Sequence, residues 1–334
     1  MTTSRPQPPR RRALLKLAGL AGACSPALWA TSAWSQSAGT LKIIVGYPAG
    51  ATSDALTRVI AEHMGTTLKQ TVIVENKVGA GGRIANELVK AAPPDGNTLM
   101  MTPVATMSIF PHSYAGQLRY DPFKDFAPVA HLSNFQLGWG VGSAVPAKTL
   151  AEYVAWVKTD AAKNGFYGSA APGSIPHFFG VMFARDAGMT LTHVPYKGTA
   201  AAMQALAGGE IAALSTLAAD IRALVQADRA RLLAVAGDVR DPTFPNVPTF
   251  KEQGFDLVAK PWYGLFAPAG TPPAVLERLS KAAMAAVADP AVSKRLVDMG
   301  LAPTGGGADM LAAALKADYE RWGPVIRASG FKPE

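Results

Sequence analysis

Two short stretches bring together residue types that could do chemistry. The first is Gly46-Tyr47-Pro48-Ala49-Gly50-Ala51-Thr52-Ser53-Asp54. Two glycines, a proline and two small hydroxyl residues precede an acid, a composition for a loop whose backbone comes close to something. The second is Ser169-Ala170-Ala171-Pro172-Gly173-Ser174, with His177 three residues further on. A serine near a histidine could supply a nucleophile and its base. Equally, Ser174 could cap a helix whose first turn carries His177. No Gly-x-Ser-x-Gly occurs, and Gly168-Ser169-Ala170-Ala171 fails that pattern, which argues against a lipase-type elbow. A triad of dispersed residues stays open.

The elements around the first loop suit an anion. Leu41, Ile43, Ile44 and Val45 form a short apolar run that reads as a buried strand. Leu56, Val59, Ile60, Met64 and Leu68 then recur at helical spacing, with Thr52 or Ser53 placed to cap and Asp54 in the first turn. Strand, glycine loop and capped helix put free N–H groups and a helix N-terminus at the carboxyl edge of a sheet. An ordinary turn that binds nothing fits this stretch equally well.

The same alternation continues along the chain. Thr71–Glu75 reads as a strand, Asn76–Gly82 as a second glycine loop, and Ile84–Lys90 begins a helix. Pro93–Gly96 is a turn, and Thr98–Thr102 a third strand ending in the loop Pro103–Thr106. Strands alternating with helices predict a parallel α/β sheet. Tyr120–Phe126 reads as a loop and Val129–Leu137 as extended chain. A second α/β unit follows, inserted in the first. It has helices around Ala151–Lys163, Ile175–Asp186 and Ala200–Ala207, and another running to Gln226. Its strands are Gly165–Gly168, Thr192–Val194, Ile211–Leu214 and Leu232–Ala236, with a loop at Tyr196–Thr199. Asp241–Pro248 is an irregular proline-rich loop; Trp262–Pro268 reads as a strand returning the chain, and helices near Pro273–Val287, Ala291–Asp298 and Ala308–Ala328 close it. Crossings near 131–141 and 256–266 predict a two-lobed α/β clamshell, with 40–136 and 260–334 as lobe 1 and 137–259 as lobe 2.

Composition narrows the function. The chain has 334 residues, 49% apolar and 17% charged, ample for one large domain or two ordinary ones. Arg5, Arg10, Arg11, Arg12 and Lys16 fall within residues 1–37, which contain no acid. Without those five, 27 basic side chains face 24 acids, so the net charge of +8 is mostly N-terminal. No basic stripe interleaved with aromatics exists, which excludes nucleic acid as a partner. Arg10–Lys16 is a basic segment with a twin-arginine pattern, Leu17–Ala30 an apolar stretch too short to span a membrane, and Thr31–Ala38 is rich in small residues. Residues 1–37 are therefore expected to be an export signal, cleaved after Ala33, Ser37 or Ala38, with the periplasm as destination. A retained anchor is the competing reading. Cys24, the single cysteine, closes a run Leu20–Cys24 resembling a lipoprotein box; used, it becomes a lipid anchor, and either way no disulfide forms.

Cofactor and metal motifs fail. In Gly79-Ala80-Gly81-Gly82 the third small position of a dinucleotide fingerprint falls on Ile84, and no phosphate-binding loop motif occurs. His63, His112, His131, His177 and His193 form no close pair, so neither cofactor nor metal is expected.

Eight spaced blocks occur in order. They are YPAG with SDAL at 47–56, VENKVGAGG at 74–82, PDGNTL at 94–99 and YDPFKDFAPVA at 120–130. YGSAAPGSIPH at 167–177, HVPYKGTAAAM at 193–203, FPNVPTFKEQGF at 244–255 and WYGLFAPAGTPP at 262–273 complete the set. From about Leu41 onward the chain resembles the substrate-binding proteins of tripartite tricarboxylate transporters, the Bug family. The mature protein is expected to be a monomer. That resemblance implies a two-lobed periplasmic binding protein of the type II class, which delivers a small carboxylate to a membrane permease. It implies ligand contacts, mostly backbone N–H, hydroxyl and water, from Tyr47, Pro48, Ala49, Gly50, Ser53 and Asp54, from Thr106, from Ser169, Ala170, Gly173, Ser174 and His177, and from Tyr196 and Thr199. Departures occur: Ala51 and Ala105 stand where glycines are usual, Phe110 replaces a common Asn, and Ser215 and Thr216 follow the strand where many members carry Asp or Asn.

Tyr47, Phe110, Tyr196 and Trp262 could supply flat apolar walls, and Lys197 could meet a second carboxylate. The second-lobe loops Ser169–His177, Tyr196–Thr199 and Ser215–Leu217 contain no acid to pair a ligand ammonium. A non-amino mono- or dicarboxylate, aromatic ones included, is therefore expected, with Asp220 on the following helix as the residue that could reverse this. The competing function is an exported hydrolase built on Ser174 and His177 in the same cleft.

Overall fold

The computed structural model describes residues 39–333; the export signal expected over residues 1–37, with Cys24, lies outside the described residues. β1 (Leu41–Val45) is the middle strand of a parallel trio, and four of its five side chains are buried, as a strand covered on both faces requires. β2 (Val72–Asn76) and β3 (Thr98–Pro103) flank it in parallel, with Ile43 opposite both Val74 and Leu99. Beyond β3 lie β10 (Trp262–Pro268), then β4 (Phe126–Phe135), then β11 (Leu301–Gly307), each antiparallel to the strand before it. The six-stranded order is β11-β4-β10-β3-β1-β2.

The second sheet is built entirely from chain between β4 and β10. It comprises β5 (Leu137–Gly142), β6 (Phe166–Ser169), β7 (Thr192–Pro195), β8 (Ala213–Leu217) and β9 (Ala230–Val235), ordered β7-β6-β8-β5-β9. Both sheets share one plan: a parallel trio whose middle strand comes first in sequence, then an antiparallel crossing strand. β4 passes through Gln136 directly into β5, and the return runs through Pro261 into β10. The two crossings are tied, since the Phe135 N–H donates to the Pro261 carbonyl at 2.9 Å. Both sheets belong to one compact unit, with Phe135, Leu137, Trp262 and Tyr263 buried at the crossings.

The first sheet carries α1 (Thr52–Leu68), α2 (Arg83–Lys90) and the short α3 (Phe110–Ser113), preceded by a π-helical turn at Ala105–Ile109. The inserted unit carries α4 (Leu150–Thr159), α5 (Ala161–Asn164), α6 (Ile175–Asp186), α7 (Thr199–Gly208) and α8 (Arg222–Gln226). α9 (Pro273–Ala288), α10 (Pro290–Asp298) and α11 (Ala308–Ala328) finish the chain. Among the described residues no helix is long and apolar enough to cross a membrane.

Three expectations need correction. The helix expected over Ala151–Lys163 is two helices, broken where Asp160 adopts φ −161 and ψ 85 and its carboxylate accepts the Lys163 N–H at 3.2 Å. β8 continues to Leu217 rather than ending at Leu214, so Asp220 sits in a turn before α8 instead of on a helix. β11, absent from the sequence reading, forms the edge of the first sheet from a segment with one Pro and three Gly.

Candidate binding cleft

In an open α/β sheet a ligand site forms beyond the carboxyl ends of the parallel strands. Here a cavity of about 260 Å³ occupies that place for both sheets at once. Its wall includes Tyr47, Ala51, Thr52 and Ser53 after β1, and Val104 and Ala105 after β3. Ala170, Ala171 and Ser174 after β6, Thr199 after β7, and Leu217 and Asp220 at the end of β8 supply the opposite side. Phe135, Leu137, Pro261 and Tyr263 form its floor at the crossings.

Three helices begin at this wall. α1 starts at Thr52, α6 at Ile175 and α7 at Thr199, and none of the three has a side-chain cap. The N–H groups of a first turn have no acceptor inside their own helix. Each uncapped end also carries a partial positive charge, worth about 0.3–1 kcal/mol to a nearby anion. Among the described residues no Lys, Arg or His lines the cavity. The arrangement attracts an anion through backbone groups that are already fixed, so little side-chain ordering is needed on binding.

Asp54, in the first turn of α1, is kept from opposing such an anion. Its carboxylate accepts the Gly50 N–H (2.9 Å), Arg58 Nε and Nη2 (3.0 Å each) and Asn76 Nδ2 (2.8 Å). Burial works to raise its pKa, but these hydrogen bonds and the Arg58 charge outweigh it and hold the group at about 2. The Asp54 charge is thus neutralised on the side away from the cleft.

The structure brings only some of the sequence-derived candidates together. Tyr47, Ser53, Ala170, Ser174 and Thr199 line the cavity. The Tyr47 hydroxyl donates to the Gly81 carbonyl at 3.1 Å, and burial raises its pKa, so it stays neutral. Pro48, Ala49 and Gly50 are exposed outside the wall, Gly50 at φ +84 turning the chain toward α1. Thr106 is fully buried behind Ala105, its hydroxyl 2.6 Å from that of Thr102. Ser169, fully buried, bonds His193 Nε2 at 2.8 Å. Gly173, at φ +69, gives its N–H to His177 Nδ1 at 3.1 Å. Tyr196 packs on the face of Gly168, away from the wall. Ser215 is fully buried within β8. Trp262 faces the opposite side of β10 from Tyr263, as alternation along a strand demands, and its indole N–H donates to Asp318 at 2.8 Å. The aromatic wall at the crossing is therefore Tyr263, with Phe135 tilted against it at 4.9 Å.

Ser174 and His177 do not form a nucleophile and its base. The Ser174 hydroxyl donates to the Ala171 carbonyl at 2.7 Å, and His177 Nδ1 is occupied by the Gly173 N–H. The His177 ring stacks on His193 at 3.8 Å, and burial lowers the His177 pKa to about 4.

The sequence named Asp220 as the residue that could pair an ammonium but put it on a helix; the structure puts it in the wall, in the turn before α8. Burial pushes its carboxyl up to about 6, against the opposing pull of the Thr216 hydroxyl at 3.4 Å. The loops Ser169–His177, Tyr196–Thr199 and Ser215–Leu217 carry no acid, as expected, but the wall reaches beyond them to Asp220. The signal was available, since a turn immediately after a strand of the inserted sheet points to the same edge as the other loops.

A larger cavity of about 490 Å³ lies behind the crossings, lined by Gln136, Asp238, Asp241, Lys260 and Pro303. The C-terminal end of α10 opens on it at Val297 and Gly300, and that end repels an anion. Among the described residues no cluster of three or more His, Cys, Asp or Glu could hold a metal ion.

Two sheets of shared topology, two crossings and a cleft between matching strand ends define a periplasmic binding protein. Solved structures of this kind superpose along nearly the whole chain. MatC from Rhodopseudomonas palustris with bound malate gives a TM-score of 0.76 at 29% identity, covering 87% of this chain and 99% of that one. The R. palustris protein Rpa4515 with adipate gives 0.81 at 27% identity, covering 90% and 100%. A Cupriavidus necator protein of the UPF0065 group is 34% identical over 263 residues, 79% of each chain. The pattern of the tripartite tricarboxylate transporter family receptor matches residues 56–331, and the chain belongs to that family.

Proposed function

We propose that this chain is an exported, non-enzymatic receptor that captures a small carboxylate in the cleft and delivers it to a tripartite tricarboxylate-type permease. In this reading residues 40–136 with 260–334 close against 137–259 around the ligand, and the mature protein is a monomer lacking residues 1–37. One observation carries it: three uncapped helix N-termini open on a single cavity that no basic side chain lines. The malate and adipate of the two solved relatives are carboxylates of a size such a cavity suits.

The test is a thermal-shift panel of mono-, di- and tricarboxylates on the mature chain. A binder should stabilise by mass action, about 2.7 kcal/mol at a hundredfold excess over Kd. If no carboxylate raises the melting temperature, the proposal fails; turnover of a bound acid would favour an enzyme instead.

A further inference from the structure

The cleft carries two opposite electrostatic features. Around most of the wall, helix N-termini present positive ends. On the inserted-sheet side stands Asp220, among the described residues the only charged one lining the cavity. Its sole hydrogen-bond partner on its side chain is the Thr216 hydroxyl at 3.4 Å, a long contact. Among the described residues no Lys, Arg or His pairs with it. A carboxylate desolvated beside an anion site, with no cation of its own, is costly unless the ligand compensates it. A plain dicarboxylate makes matters worse, because its charge is driven into the same small space. A ligand that carries both signs resolves both ends: its carboxylate lies against the first turns of α1, α6 and α7, and its cation meets Asp220.

Resting on the carboxylate-receptor reading, we propose that the cleft selects carboxylates that also bear an ammonium group, with Asp220 as the partner of that group. Ligands are then amino acids or similar zwitterions rather than plain acids. The apolar floor of Phe135, Leu137 and Tyr263 holds the carbon skeleton and excludes water from the pair, which strengthens it.

The test is isothermal titration with matched pairs that differ only in the amino group: aspartate against succinate, glutamate against glutarate, and alanine against propionate. The wild-type protein is expected to favour the amino member of at least one pair by about tenfold or more. In Asp220→Asn that ratio should collapse, with the amino acid weakened and the plain acid tightened, because the repelling charge is gone. A melting curve for the variant checks that it is folded, and the wild-type ratio is decisive even without it. If plain acids bind as tightly as or tighter than their amino partners, the role of Asp220 is overturned while the carboxylate reading stands. If no acid of either kind binds, both fall.

Discussion

Asp54 is a charged carboxylate buried behind the cleft, and its value to the protein is stability. In the folded chain its pKa lies near 2, below the ordinary 3.8. A depressed pKa means that the stabilisation is complete above the unfolded value and is lost as pH falls through the folded one. The contribution is about 2 kcal/mol. Asp54→Asn should therefore lower stability by about 2–3 kcal/mol in denaturant melts and flatten the acid unfolding curve between about pH 4 and 2. Ser174 works differently. Its proton is committed to the Ala171 carbonyl, so Ser174→Ala should cost about 1 kcal/mol of stability and proportionately less in ligand affinity. A larger loss of affinity than of stability would mean that the hydroxyl turns to the ligand. The glycine loop around these residues was legible because its spacing carries its own local meaning. Asp54 read as a helix-capping acid; its partner Arg58 lies four residues on in the same helix, but Asn76 reaches it only through the β1–β2 pairing, which no local pattern reveals. Asp220 was misplaced for a related reason: Ser215 and Thr216 look like a loop, whereas both lie buried in β8.

The helix ends of α1, α6 and α7 are the elements that make the site, and an acid there separates binding from folding. Thr199 begins α7 at the cavity wall and is only half-buried. Thr199→Asp should keep or slightly raise the melting temperature, since an acid suits a helix N-terminus. It should also weaken carboxylate binding about tenfold or more, since like charges then meet in a confined space. Equal losses in both would deny the helix ends their role. A second element-level device is the stack of His177 on α6 over His193 on β7. Burial lowers both, to about 4 for His177 and about 3 for His193, the latter helped by the His177 charge. As pH falls below about 6.5 the unfolded chain takes up protons that the folded one refuses, so stability declines toward pH 4. Melting temperature measured from pH 7 to 4 should fall, and His193→Gln should make that slope shallower; an unchanged slope would remove the pair from the account. Elements with strong local signals, such as β1, β3, β10 and α1, were legible. β11 was not, because Pro303 and Gly305–Gly307 hide a strand that exists only through its pairing with β4.

At the scale of the whole molecule the insertion of one α/β unit into another explains why the cleft lies at the crossings. The two chain passages are adjacent, tied between Phe135 and Pro261. The alternation of strands and helices made this plan readable, since inserted and enclosing units each follow the rules of a parallel sheet. What it could not supply was which side chains face inward: Trp262 and Tyr263 are neighbours in sequence, and only the register of β10 with β3 and β4 decides that Tyr263 faces the cavity. The cavity is an anion site to the extent that the helix N-termini of α1, α6 and α7 make it one. Calorimetric titration of the chain with succinate and with aspartate, each beside its diamide, which keeps the skeleton but has no carboxylate, addresses this without depending on Asp220. The account predicts one-to-one binding of at least one of the acids and binding of its diamide weaker by about a hundredfold, roughly 2.7 kcal/mol. Diamides that bind as well as the acids would contradict it.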